Sequence, residues 1–121
     1  MSVHNEFGTE GEEIAKNFLL DLGHEILDLN WRFEKSEIDI ISIEYETLVF
    51  SEVKTRHISI FGTPESFVDE AKIRNVTKAA EEYIQVVDYD GEIRFDIISI
   101  LFENKIDYTI KHFRDAFWNY E

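Results

Sequence analysis

Three glutamate–lysine pairs with one residue between them stand in this 121-residue chain: Glu52-Val53-Lys54, Glu70-Ala71-Lys72 and Glu103-Asn104-Lys105. On a β-strand that spacing puts both side chains on one face. With twenty-six acidic residues present, the spacing alone is expected by chance, so its surroundings must decide. Only the first pair lies in an apolar strand-like run, with Leu48-Val49-Phe50 before it. The second falls in a helical pattern and the third in a turn, where both read as solvated charges. Upstream stands Glu37-Ile38-Asp39. If the two segments form a hairpin, Asp39 near the start of one strand comes beside Glu52 and Lys54 at the far end of the next. Two carboxylates and a neighbouring backbone carbonyl suit Mg²⁺ or Mn²⁺, hard ions that take oxygen ligands. Such an ion polarises a phosphate and lowers the pKa of a bound water. A lysine beside it can stabilise charge developing on the phosphate. The plainer alternative is a surface Glu52–Lys54 ion pair, worth about 0–1 kcal/mol.

The elements that must hold these residues follow the order αβββαββ, with a short terminal helix as a possible addition. Thr9-Glu10-Gly11-Glu12 has the form of a capping box, followed by Ile14, Ala15, Phe18, Leu19 and Leu22 at helical spacing. Gly23 is suited to end that helix. Strands are expected at about His24 to Phe33, Ile38 to Tyr45 and Leu48 to Thr55, the last two joined by a tight turn at Glu46-Thr47. Residues 57–65, with Gly62 and Pro64, read as a loop. Ser66 to Val87 reads as a second helix, with Phe67, Ala71, Val76, Ala80 and Ile84 among its apolar positions. After the turn Asp88-Tyr89-Asp90-Gly91, Glu92 to Phe102 and Ile106 to Phe113 form a second hairpin across Glu103-Asn104-Lys105. A mixed sheet flanked by helices fits this order.

Composition bounds the function. One domain spanning residues 1–121 is expected, and 44% hydrophobic content with ten Phe supplies a core. No apolar run is long enough for a membrane span, and the N-terminus lacks signal-peptide character. The absence of cysteine removes disulfides and thiolate metal sites, and fits a cytoplasmic protein. His4, His24, His57 and His112 show no paired spacing for zinc. The net charge of −14 stands against nucleic-acid binding, which draws affinity from cations at phosphates. The acids are unevenly spread, however. Residues 1–50 hold twelve acidic and three basic side chains, whereas residues 54–78 hold five basic and three acidic ones. The aromatic tail of Phe117, Trp118 and Tyr120 suits a core or a subunit contact better than base stacking.

Several ordered motifs resemble the YraN-like family of bacterial proteins: Gly8-x-x-Gly11-Glu12, Leu27-x-x-Asn30-x-Arg32, Glu37-Ile38-Asp39 and Leu48-Val49-Phe50-x-Glu52-Val53-Lys54-x-Arg56. Gly62-x-Pro64, Val68, Lys72 and Arg94-Phe95-Asp96-Ile97-Ile98 extend the likeness over nearly the whole chain. Ser36 stands where the family usually has glycine, and Ser51 where it often has valine. That family is similar to the PD-(D/E)XK nucleases, near archaeal Holliday-junction resolvases. The resemblance implies a restriction-endonuclease-like fold and a metal held by Asp39, Glu52 and the Val53 carbonyl. Lys54 would be the catalytic lysine. Glu12 would match the resolvases' helical acid, whether or not it also caps its helix. Arg32, Arg56 and Lys72 would face substrate. The function implied is a Mg-dependent endonuclease acting on DNA, with junction DNA and a homodimer suggested by the resolvases. Two other readings stand beside it: a non-catalytic nucleic-acid-binding or protein-interaction module on the same fold, and a purely structural partner protein.

Overall fold

The computed structural model describes residues 5–57 and 70–117, with side chains from Thr9 onward. Helix α1 (Asn5–Asp21) leads into three antiparallel strands, β1 (Glu25–Phe33), β2 (Ser36–Glu44) and β3 (Thr47–His57). Helix α2 (Glu70–Val87) then precedes β4 (Glu92–Phe102) and β5 (Tyr108–Phe113). The sheet order is β1-β2-β3-β4-β5. The β3–β4 pair is parallel, and α2 lies in the crossover between them. The element order αβββαββ therefore holds, and the expected loop at 57–65 and first turn of α2 lie mostly outside the described residues. Among the described residues no helix is long and apolar enough to cross a membrane.

Each sheet face has its own core. Ala15 and Leu19 of α1 pack with Ile40, Ile98, Ile100 and Phe102. On the opposite face Val76, Ala79, Ala80 and Tyr83 of α2 pack with Ile41, Leu48, Phe50 and Ile97. Central strands covered on both faces read as continuous apolar runs, which is why Leu48-Val49-Phe50 lacks alternation. Helix α1 ends as its sequence suggests. Gly23 has φ 99°, its N–H donates to Leu20 O at 3.0 Å, and His24 N–H donates to Leu19 O at 3.0 Å. This is the Schellman pattern, for which glycine carries no Cβ penalty.

Three expectations require correction. Helix α1 begins at Asn5, so Thr9 lies inside it and cannot cap it. The β2–β3 turn falls at Tyr45-Glu46, with Glu44 paired to Thr47, because Tyr45 takes the left-handed backbone at φ 57°. Strand β5 starts at Tyr108, not at Ile106. There the Asn104 side-chain oxygen accepts from the N–H groups of Ile106 and Asp107, diverting them from the ladder. At the C-terminal end, Phe117 is buried and stacks on Phe95 with centroids 5.1 Å apart, so of the two expected roles, core or subunit contact, it takes the core. Trp118 and Tyr120 lie outside the described residues.

Candidate metal centre

Phe50, Glu52 and Lys54 alternate to one face of β3, and Phe50 fixes that face as the one covered by α2. Ser51, Val53 and Thr55 therefore face α1, and Val53 does pack against the α1-side core. Gly11 sits on Thr55. A Cβ there would collide with the threonine hydroxyl and stand 3.2 Å from its Cβ. Only glycine lets α1 come this close, and the approach carries the next residue, Glu12, toward the site.

The β2–β3 ladder runs as far as Ile40↔Ser51. Continuing that register by one residue sets Asp39 opposite Glu52. Here the backbone ladder gives way to a side chain, as Val53 N–H donates to Asp39 Oδ2 at 2.8 Å. N–H and C=O of one strand residue leave the same edge, so the Val53 carbonyl also faces the gap beside Asp39. Face alternation slips at this point. Ile38 packs in the α2-side core and Ile40 in the α1-side core, although residues two apart on a regular strand share a face. Asp39 lies between them.

Burial, then the neighbouring Glu52 charge, push the Asp39 carboxyl up to about 8, against the Val53 N–H that favours its ionised form. Glu12 and Glu37 add smaller repulsions. Burial also raises the Glu52 carboxyl, opposed by the Lys72 and Lys54 cations. For Lys54, burial is the first cause of a lowered proton affinity, with Glu52 opposing it and Arg56 and Lys72 adding to it. Two close carboxylates that resist ionisation mark a site short of positive charge. A hard dication would supply that charge, and the oxygen-only donor set would suit Mg²⁺ or Mn²⁺ better than softer metals. Among the described residues no three His, Cys, Asp or Glu side chains converge, so the acidic donors here are two, with a carbonyl beside them.

The remaining expected residues divide. Lys72, read above as a solvated helix charge, reaches Glu52 Oε2 at 3.5 Å from the first turn of α2, the helix that covers the Glu52 face of the sheet. Glu12 accepts from Asn30 Nδ2 at 3.0 Å. Arg32 is exposed and lies 3.8 Å from Glu37, close to the site. Arg56 is exposed, and its guanidinium donates to the Thr55 carbonyl at 2.9 Å.

A second polar network, on the α1-side face of β4, where Asp96 pairs with Ser51, was not visible from spacing. Asp96 is fully buried and accepts from Arg94, from the Asp115 N–H at 3.0 Å and from His112 at 2.8 Å. Glu44 joins it through Arg94 and Arg114, both at 3.0 Å. His24 and His112 are thus neighbours of this structural network. The Arg94-x-Asp96 part of the family motif was the one sequence signal for it.

A five-stranded mixed sheet with a helix on each face, in the order αβββαββ, is consistent with a restriction-endonuclease-like fold. The chain belongs to the uncharacterised protein family UPF0102, the YraN-like family, whose model matches residues 11–100. It is 47% identical over 120 residues to a UPF0102 protein of Flavobacterium psychrophilum, covering 99% of this chain and 100% of that one. UPF0102 proteins of Christiangramia forsetii and Phocaeicola vulgatus are 44% and 42% identical over 118 residues, each covering 98% of this chain and 98% and 97% of theirs.

Proposed function

We propose that this protein is a metal-dependent nuclease of the PD-(D/E)XK type, hydrolysing phosphodiester bonds in DNA, branched or junction DNA included. The observation that carries this reading is the meeting of Asp39 and Glu52 where β2 leaves β3, with Lys54 on the Glu52 face. Asp39, Glu52 and the Val53 carbonyl would hold Mg²⁺ or Mn²⁺. When bound, the ion polarises a phosphate oxygen and lowers the pKa of a water. Val53 N–H fixes one Asp39 oxygen and leaves the other for binding. Lys72 offsets the charge of Glu52. Lys54 has no lone pair to give a metal when protonated, so its ammonium serves the phosphate, where it stabilises developing negative charge. Arg32, Arg56 and Lys72 would serve neighbouring phosphates, and Glu12 adds a catalytic carboxylate from α1.

The net charge of −14 favours a second reading, a non-catalytic nucleic-acid-binding or protein-interaction module that retains the nuclease fold. A Mg²⁺-dependent cleavage assay on duplex, single-stranded and four-way-junction DNA separates the two. The nuclease reading expects wild-type cleavage and a loss on the order of a hundredfold or more in Lys54→Ala, with the fold retained. No wild-type cleavage of any substrate moves the conclusion to the module. A symmetric dimer is the assembly suited to a symmetric junction. Sedimentation should show a concentration-dependent dimer, and a clean monomer at high concentration removes that part.

A further inference from the structure

Asn30 occupies an unusual place for a strand residue. It lies inside β1, yet its backbone is left-handed at φ 53°. Asparagine tolerates this region better than other residues with a side chain, except aspartate. Its pairing neighbours are Leu29↔Ile40 and Trp31↔Ile38, so the residue across from Asn30 is Asp39. The left-handed turn of β1 and the slip in β2 therefore fall at the same level of the sheet. From there Asn30 Nδ2 reaches α1 and donates to Glu12 Oε1 at 3.0 Å. The orientation of the amide follows from chemistry, since its oxygen against a carboxylate would set two acceptors together.

Resting on the metal-centre reading above, we propose that Asn30 is a positioning residue, whose left-handed backbone aims its amide at Glu12 and holds that carboxylate toward Asp39. Asn30 stands across from Asp39 and bonds Glu12, which sets the Glu12 carboxylate beside that level of the sheet. Gly11 sets how closely α1 approaches, and Asn30 sets where the Glu12 side chain turns once there. The bond is exposed, so its effect is graded.

The test separates backbone from amide. Asn30→Gly keeps the left-handed backbone and removes the donor. Asn30→Asp keeps a residue that tolerates this backbone and sets a second carboxylate against Glu12. The probe is Mn²⁺ added substoichiometrically to the full chain, read by broadening of assigned side-chain carboxyl carbons, with affinity measured by calorimetry. In the wild type, Asp39, Glu52 and Glu12 should all broaden. In both variants the Glu12 signal should sharpen while Asp39 and Glu52 stay broad, with Mn²⁺ affinity down about three- to tenfold. A merely structural role for Asn30 would leave the Glu12 signal as broad as in the wild type, and that result overturns the proposal. Broadening of Asp39 and Glu52 without Glu12 in the wild type overturns it while leaving the metal centre intact. No Mn²⁺ effect at Asp39 or Glu52 in the wild type overturns the metal centre and this proposal together.

Discussion

Asp39→Asn should stabilise the metal-free protein while abolishing metal binding. The substitution keeps an oxygen that can accept from Val53 N–H, so the 2.8 Å bond survives. What it removes is an ionisable group whose ionisation folding opposes. Burial and the Glu52 charge raise the Asp39 carboxyl from 3.8 to about 8. Between those values the folded chain holds a proton that the unfolded chain has released. Stability therefore falls as pH rises through this window, the reverse of a salt-bridged aspartate. At about 1.4 kcal/mol per unit, the cost at pH 7 reaches about 4 kcal/mol as a ceiling. Solvent reaching this partly exposed carboxyl lowers that, and we expect Asp39→Asn to gain about 2–4 kcal/mol at pH 7. The gain should shrink toward zero near pH 4. Urea unfolding of both proteins from pH 4.5 to 8, in the presence of a chelator, measures the difference and cancels the other carboxylates. A difference that does not change with pH would show instead that Asp39 ionises as readily folded as unfolded.

Two other substitutions probe the supports of the site. Gly11→Ala improves helix propensity by about 1 kcal/mol, but its methyl meets Thr55, and overpacking of this kind costs about 1–3 kcal/mol. Net destabilisation is expected, with Thr55→Ala restoring most of it in a double-mutant cycle measured by denaturant unfolding. Asp96→Asn turns an amide N–H toward Arg94 or His112 and should cost about 3–5 kcal/mol by the same measurement. Burial alone would raise the Asp96 carboxyl, but His112, Arg94 and the Asp115 N–H overcome it and hold it low. Its contribution is thus present above the ordinary value of 3.8 and is lost as pH falls below it, so wild type and Asp96→Asn should converge in acid.

Much of the framework was legible because it is local or periodic. Glu52 and Lys54 stood out through the apolar run around them, and Gly23 and Asp88–Gly91 punctuated the chain where it turns. The site residues Asp39, Glu52 and Lys54 could be brought together by hairpin logic alone. Other features depend on contacts that no local pattern encodes. Glu12 suggested a cap because Thr9 has the right spacing, but the helix runs about one turn further back and leaves Glu12 to Asn30. Lys72 resembled any helix-surface lysine until α2, folded over one face of the sheet, brought it to Glu52. The slip at Asp39 and the left-handed Asn30 are a joint property of two paired strands. The Asp96 network gathers His24, Glu44, Arg94, His112 and Arg114 from the ends of several strands far apart in sequence.

The claim that Asp39 and Glu52 form a divalent-metal centre is tested most directly by crystals of the full chain grown with Mn²⁺ and measured for anomalous scattering. One peak should lie in contact with both carboxylates and the Val53 carbonyl, with Lys72 drawn away from Glu52. No peak at that position, with Lys72 still against Glu52, would contradict the claim.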